Sequence, residues 1–228
     1  MQAATKDDVH AVSPHRPADE PGSISRRTIA GALLALTGIG TIMAIVTNEA
    51  LYPADRHYNT FTNSISDLSG TLPPNSYMVQ PNREIFIVTM AISGAMVLAS
   101  AYLLWSVIAR RRVVVGLGVL GIGLVGIAVF PGNVENWHPI FALLCFVGGS
   151  ITAVMSRKVL GQPLGSFALG LGVIALLATV FGLEMFEGWG PQASIGIGGT
   201  ERWIAYPVLL WLTMFGTALM HERNTLSR

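Results

Sequence analysis

Six stretches of the sequence are each long and apolar enough to cross a lipid bilayer as a helix. A bilayer core takes about 20 mostly apolar residues in helical form. The stretches cover approximately Ile29–Val46, Ile85–Ile108, Val113–Phe130, Pro139–Met155, Ser166–Phe186 and Ile204–Met220. We therefore predict an all-α fold, a polytopic transmembrane bundle of six helices.

The composition excludes several other classes of protein. The chain is 51% hydrophobic and 12% charged, whereas about a quarter of the residues in a soluble domain are charged. Its formal net charge of +1 gives no basic field for binding nucleic acid. The single cysteine, Cys145, excludes an intramolecular disulfide and any metal or iron-sulfur site built from cysteines.

The polar segments divide the chain around this domain. Residues 1–26 contain few apolar side chains, and we expect a disordered tail there. Their acidic residues do not fit a signal peptide, so the first apolar stretch is expected to remain as an anchor. The six-helix domain is predicted over 27–222, with outer loops at 48–84, 131–138 and 187–200 and a short C-terminus at 223–228. The glycines of the last loop allow it to fold over a site.

The distribution of charge predicts the orientation. Six helices place both termini on one side of the membrane. All but three of the 14 Lys and Arg residues flank the helix ends on that side, the exceptions being Arg56, Arg83 and Arg202. By the positive-inside rule, both the tail and the C-terminus are cytoplasmic. We expect a multi-pass protein of the cell membrane.

Glycines in the third stretch predict how its helix packs. On a helical wheel Gly116, Gly123 and Gly126 lie on one side and Gly118 and Gly121 on the other. Small residues let helix backbones approach closely. We therefore expect neighbours in two directions and a central position in the bundle.

Several chemistries lack the residues that they need. No lysine lies inside a stretch, which excludes a retinal Schiff base. The stretches do not supply the paired histidines of a membrane haem, and no nucleotide-binding motif occurs. The inner halves of the helices contain no acidic residue, which argues against a proton relay or ion channel.

Two polar clusters follow the first stretch. Asp67 lies among hydroxyl groups in segment 63–70, where its carboxylate can bind a cation or polarise a hydroxyl group. Ser64, three residues earlier, also fits a capping box with Asp67. Asn82 is predicted to be the N-cap of the second helix. Arg83 opposes that helix's dipole and therefore needs a carboxylate or an anionic ligand.

Two more clusters open the fourth and sixth stretches. His138 enters the fourth, where an imidazole can act as a base, a metal ligand or a hydrogen-bond donor. Thr200 is predicted to be the N-cap of the sixth helix, with Glu201 in its first turn. Arg202 needs a partner so close to hydrocarbon, and the candidates are Glu184, Asp67 or a bound phosphate.

These clusters together resemble a known family. The segment ISDLSG at 65–70, Asn82, FPG at 130–132 followed by His138, and GGxER at 198–202 resemble the domain of unknown function 998 family, over residues from about 29 to 220. The resemblance implies a six-helix membrane module and no established reaction. Ser69 stands where the family pattern leads us to expect glycine.

We hypothesise that the clusters converge at the outer ends of the second, fourth, fifth and sixth helices. Asp67, His138, Glu201 and Arg202 would then share one pocket, which would bind, handle or translocate a lipid-like, amphipathic anionic substrate. The candidate substrate-binding residues are Asp67, Asn82, Arg83, His138, Glu184, Glu201 and Arg202. This hypothesis needs no cofactor.

Two alternatives use the same residues. In the first, Asp67, His138 and Glu201 bind zinc and the protein hydrolyses a membrane lipid. In the second, the protein is a non-catalytic membrane subunit whose charges are caps and internal salt bridges. The expected partners are membrane lipids, a second copy of the chain or another membrane protein, and not nucleic acid.

Overall fold

The fold was obtained as a computed structural model, which describes residues 25–74, 76–182 and 191–221. The described residues form six long helices and two short 3-10 helices, at Ala54–Arg56 and Ser66–Ser69. The long helices are α1 (Arg26–Ala50), α2 (Asn82–Leu104), α3 (Arg111–Val129), α4 (His138–Ser156), α5 (Leu164–Phe181) and α6 (Pro191–His221). All six are long and apolar enough to cross a membrane, which confirms the all-α prediction of six candidate spans.

The helices form a ring in chain order. Each packs against the helices that precede and follow it in sequence, and α6 closes the ring against α1. The α1–α6 contact depends on a pair of glycines, because a Cβ on Gly31 would meet the backbone oxygen of Gly216. A further contact joins α4 to α6, where Trp211 Nε1 donates a buried hydrogen bond to Ser156 Oγ at 2.8 Å.

The two ends of the bundle differ in polarity. We call the end that carries residues 51–81 (the long loop) and residues 130–137 the loop end. Within the described ranges, every Asp and Glu lies at this end. The opposite end, the basic end, carries seven cations, Arg26, Arg27, Arg110, Arg111, Arg112, Arg157 and Lys158.

The sixth helix begins earlier than predicted. Residues 191–200, expected in a loop, belong to α6, and the chain interrupts helical geometry only at Gly196, with φ 71° and ψ 175°. Thr200 is therefore inside the helix, where its Oγ1 donates to the Gly196 carbonyl at 2.7 Å, and it is not an N-cap. The segment was expected to adopt backbone conformations that favour glycine, and Gly196 is the residue that adopts one.

The third helix packs on two sides but is not central. The side with Gly116, Gly123 and Gly126 faces Thr152, Cys145 and Phe141 of α4, while Gly121 faces Leu98 of α2. A Cβ on Gly118 would meet no atom within 4 Å. The two close approaches are confirmed, but the helix is not central, because it packs against α2 and α4 and makes no comparable contact with α1, α5 or α6.

Three predicted features lie outside the described residues. They are the tail as far as residue 24, the segment 183–190 with Glu184 and the first part of the third outer loop, and the C-terminus from residue 222.

Candidate functional site

An apolar cavity of about 70 Å³ lies between the helices towards the loop end. Side chains from α1, α2, α3, α4 and α6 line it, and Ile65 and Ser66 of the long loop complete the lining. Most of the lining is aliphatic or aromatic. The polar side chains that line it are Thr41, Ser66, His138 and Glu201. An apolar chamber with a few convergent polar groups is the usual form of a small-molecule site.

His138 is fixed at the first position of α4. Its Nδ1 lies 2.8 Å from the carbonyl oxygen of Phe130, and Pro139 follows it in the first turn, where proline suits helix initiation. The side chain is 8% exposed. Since Nδ1 is occupied by the backbone, Nε2 is the nitrogen available to another group.

Glu201 holds the long loop over the cavity. Its Oε2 accepts a short hydrogen bond of 2.5 Å from the backbone N–H of Ile65, 136 residues earlier in the chain. The loop residue that follows, Ser66, lines the cavity together with Glu201. The carboxylate therefore connects α6 to the loop and borders the cavity.

We call residues 65–70 the roof segment, and local hydrogen bonds shape it. Ser64 N–H donates to Asp67 Oδ2 at 2.9 Å, and Asp67 N–H donates to Ser64 Oγ at 3.3 Å. This reciprocal pair is the predicted capping box, and it starts the 3-10 helix Ser66–Ser69. Asp67 thus binds the backbone at Ser64, immediately before the roof segment, and it is not among the residues lining the cavity.

The other end of the roof segment is tied to the α3–α4 connection. Ser69 is fully buried; its Oγ accepts from Gly132 N–H at 2.8 Å and donates to Ser66 O at 2.7 Å. Arg83 Nη1 donates to Ser69 O at 2.6 Å and to Asn133 Oδ1 at 2.9 Å. Arg83 therefore joins α2, the roof segment and the α3–α4 connection, although a carboxylate or an anionic ligand was expected as its partner.

Arg202 uses all five of its N–H donors within the protein. Nε and Nη2 donate to Glu49 Oε1, at 3.1 and 2.5 Å. Nη1 donates to the carbonyls of Asn63 at 3.1 Å and Gly198 at 2.7 Å. The second Nη2 donor reaches Tyr58 Oη at 2.8 Å. A guanidinium has five N–H groups, so this one is saturated, and its ionic partner is Glu49 rather than any of the three candidates that the sequence suggested.

Two tyrosines of the long loop pack beside this arginine. The rings of Tyr52 and Tyr58 lie 4.8 Å apart, and Tyr58 Oη donates to Ser64 O at 3.0 Å. Burial raises the pKa of Tyr58 well above its ordinary value of 10.0, although Arg202 opposes the shift. Burial, with the Asp67 carboxylate, also raises the pKa of Tyr52. Both phenols therefore stay protonated at neutral pH, and Tyr58 remains a donor.

Asn82 is buried in a side-chain pair and does not cap its helix. Its Nδ2 donates to the backbone and side-chain oxygens of Asn48, both at 2.7 Å, and Asn48 Nδ2 donates to Asn82 O at 2.9 Å. No side chain caps α2, which begins at Asn82 itself. The predicted N-cap is wrong because the side chain is directed to Asn48 on α1, which binds its Nδ2. Its Oδ1, the atom that would accept from a helix amide, is buried without a hydrogen-bond partner in the described part of the chain.

The structure divides the predicted site residues into separate groups. His138 and Glu201 share the cavity, whereas Asp67, Arg83 and Arg202 bond to the protein around it and Asn82 pairs with Asn48. Glu184 lies outside the described residues. Substrate binding by any of them stays a prediction.

The zinc-site alternative does not fit the described residues. Among them, no three His, Cys, Asp or Glu side chains are grouped closely enough to hold a metal ion. The proposed ligands Asp67, His138 and Glu201 are all described, and one Asp67 oxygen is already bonded to the Ser64 amide. These three residues therefore do not form the grouped ligand set that the zinc hypothesis requires.

Four residues that build this region are not among the predicted site residues: Glu49, Tyr58, Asn48 and Asn133. One available signal was the position of Glu49 and Asn48 at the end of the first apolar stretch, where polar side chains meet those that open later stretches. Tyr58 and Asn133 carried no comparable signal, because isolated polar residues in loops are usually solvated.

Comparisons with known proteins give one match. No curated protein and no solved structure matches the chain. The sequence does match the family described as "Protein of unknown function (DUF998)" over residues 50–218. That range contains the roof segment, Arg83, His138, Glu201 and Arg202, and it covers most of the six-helix domain. The chain therefore belongs to the DUF998 family, and its six long apolar helices make it a multi-pass membrane protein of unknown function.

Proposed function

We propose that the protein binds a lipid-like, amphipathic molecule at the loop end of the bundle. The apolar part of the ligand occupies the central cavity, and its polar part lies beside His138, Glu201 and Ser66. The observation that carries this proposal is the convergence of these side chains on one otherwise apolar chamber. Handling or translocation of the ligand would begin from this bound state.

The cavity limits the shape of the ligand. Its volume of about 70 Å³ is less than half of the roughly 150 Å³ that accepts benzene in an engineered apolar cavity. A few carbon atoms of one linear chain fit it, and a ring system does not. A longer chain needs the roof segment to move or must pass between helices.

The hydrogen bonds of the two arginines limit which chemical groups the polar part of the ligand can contact. Arg202 has no N–H group left for a phosphate or carboxylate. Arg83, whose Nη1 donates to two protein oxygens, is not among the residues that line the cavity. The proposal therefore assigns the polar contact to His138 Nε2 and the Glu201 carboxylate. These groups suit a hydroxyl or amide head group.

Native mass spectrometry of the full chain in a mild detergent tests this proposal. We expect a retained lipid of defined mass in the wild type and at least tenfold lower occupancy in Ala142→Phe, which fills the cavity. Ala95→Phe is the matched control, since Ala95 is exposed on α2. Bare wild-type protein, or equal occupancy in both variants, would overturn the proposal.

A non-catalytic subunit is the second candidate function. The hydrogen bonds of Arg202 favour this function, because all five N–H groups bind protein atoms and stabilise the structure of the loop end. In that case the loop end presents a rigid surface to another membrane protein or a second copy of the chain. Bare protein in the mass measurement, combined with a reproducible co-purifying membrane protein, would support this candidate.

We also propose that the loop end is extracytoplasmic and that both termini are cytoplasmic. The charge asymmetry of the described residues supports this orientation, since the basic end has seven cations and no carboxylate. Cytoplasmic segments of membrane proteins carry an excess of Lys and Arg.

A further inference from the structure

The basic end carries a second pocket, separate from the central cavity. It has a volume of about 640 Å³ and lies where the α2–α3 and α4–α5 connections meet. Five cations line it, Arg110, Arg111, Arg112, Arg157 and Lys158, together with apolar side chains of α3, α4 and α5. We call it the basic pocket.

Two of the five cations of the basic pocket are oriented by contacts within the protein, and all five remain accessible. All five side chains are exposed. Arg110 Nε donates to Lys158 O at 3.1 Å, which joins the two connections. The guanidinium of Arg111 lies 4.8 Å from the centre of the exposed Trp105 ring, and such a contact orients a cation at a membrane interface. No salt bridge neutralises these five residues in the described part of the chain.

An apolar furrow of about 420 Å³ continues from the basic pocket along α3 and α4. The two share Arg111, Arg112 and Met155. The furrow is lined further by Val115, Gly116, Val119, Gly148, Ile151 and Thr152. Its surface is almost wholly apolar, and Val115 and Ile151 are 52% and 43% exposed on the side that faces lipid.

We propose that the basic pocket and the furrow bind one anionic phospholipid. Its phosphate diester lies among the arginines, and one acyl chain runs along the furrow. Basic pockets between transmembrane helices are suited to anionic lipid head groups. Arginine presents a fork of donors to phosphate oxygens, and three consecutive arginines supply several such forks. This site lies at the opposite end from the central cavity and does not depend on the proposed function.

The test is a lipid titration of the full chain in a mild detergent, read by native mass spectrometry. We expect dioleoyl phosphatidylglycerol to bind with a stoichiometry of one and at least tenfold more tightly than dioleoyl phosphatidylcholine. Arg111→Gln combined with Arg112→Gln should weaken the binding of phosphatidylglycerol about 25-fold, or about 5-fold for each charge near the membrane surface. Unchanged binding in this double variant would overturn the proposal.

A charge-matched control separates the site from general surface charge. Arg26→Gln combined with Arg27→Gln removes two cations from the same end but outside the basic pocket. We expect the control to change binding less than twofold, and an equal loss would overturn the proposal. If the first double variant does not fold, Arg157→Gln combined with Lys158→Gln removes two cations from the other wall, and the same 25-fold loss is expected.

Competition distinguishes a lipid from free phosphate. Inorganic phosphate and glycerol phosphate lack an acyl chain for the furrow, so neither should displace phosphatidylglycerol at millimolar concentration. Displacement by inorganic phosphate would assign the basic pocket to a soluble anion and overturn the lipid assignment. Ala142→Phe should leave phosphatidylglycerol binding intact, so a failure here is distinguishable from a failure of the central site.

Discussion

Arg202 of α6 donates two hydrogen bonds to Glu49, which lies near the C-terminal end of α1 and 153 residues earlier in the sequence. The side chains are only 11% and 18% exposed. The same guanidinium donates to the Asn63 carbonyl and the Tyr58 hydroxyl, so one cation joins α1, α6 and the long loop. The pair therefore determines where the long loop lies relative to the helix ends.

Breaking this pair from one side should destabilise the fold strongly. Arg202→Gln or Glu49→Gln leaves a largely buried charge without its partner, and such a change costs about 3–5 kcal/mol. The double variant removes both charges, and we expect it to lose at least about 1 kcal/mol less than the sum of the single losses. Equilibrium unfolding in mixed micelles gives the free energy of unfolding of the wild type, the two single variants and the double variant. Additive losses would contradict the coupling.

The chain offers an exposed ion pair as a control. Arg56 Nε lies 3.8 Å from Asp55 Oδ2, and the side chains are 51% and 78% exposed. Exposed pairs contribute about 0–1 kcal/mol. The same cycle with Arg56→Gln and Asp55→Asn should therefore give a coupling below about 0.5 kcal/mol.

Sequence patterns predicted the features that depend on near neighbours along the chain. Helix length and hydropathy gave the six spans, and the spacing of Ser64 and Asp67 gave the capping box. Patterns also singled out His138 and Glu201, which do share a cavity.

The predictions about Asn82, Arg202 and the segment before the sixth stretch were wrong, because contacts between residues far apart in sequence determine these features. Asn82 has the residue type and position of an N-cap, yet it pairs with Asn48 because the α1–α2 packing brings the amides together. The sequence did not predict that Glu49 is the ionic partner of Arg202, because the two side chains meet only through the packing of α1 against α6. Gly198 N–H donates to Phe61 O at 3.1 Å, so tertiary contact also helps determine the structure of the segment that was predicted to be a loop.

Replacing Gly196 with alanine should destabilise the contact between α6 and the long loop. At φ 71° and ψ 175° the backbone is in a region almost restricted to glycine, and the strain costs about 1–3 kcal/mol. A Cβ there would also collide with the Phe61 carbonyl. We expect a lower melting temperature and faster proteolysis within the long loop.

Gly118→Ala is the control for that substitution. Gly118 is inside α3 and a Cβ would meet no atom within 4 Å. Alanine favours the helix over glycine by about 0.5–1 kcal/mol, so Gly118→Ala should be neutral or stabilising. Equal effects of the two substitutions would show that the loop contact does not depend on the backbone at Gly196.

Tyr58 should make stability fall at alkaline pH. Its pKa in the folded protein is raised above the ordinary 10.0 by burial, so the fold binds this proton more tightly than the unfolded chain does. The contribution is complete below about pH 10, and it is lost as the pH rises through the folded pKa. Melting curves of the wild type and Tyr58→Phe between pH 8 and pH 11 measure it. Tyr58→Phe should be less stable at pH 8 and lose less on alkalinisation, and parallel curves would contradict this.

Thiol labelling in intact cells should establish the orientation. Cys145 is buried, so the wild type gives a low background, and Cys145→Ala removes what remains. Asp55→Cys places a thiol on the long loop, where the native side chain is 78% exposed. Gly161→Cys places one in the α4–α5 connection, with no neighbouring atom within 4 Å of its Cβ.

A membrane-impermeant maleimide should label Asp55→Cys in intact cells and Gly161→Cys only after permeabilisation. This outcome follows from the seven cations at the basic end, which the positive-inside rule retains in the cytoplasm. It would also place the basic pocket next to the cytoplasmic leaflet, whose anionic lipids create a negative surface potential that attracts basic residues. The reverse labelling pattern would overturn the orientation and place the central cavity near the cytoplasm. The lipid-binding proposals would then stand with their leaflets exchanged.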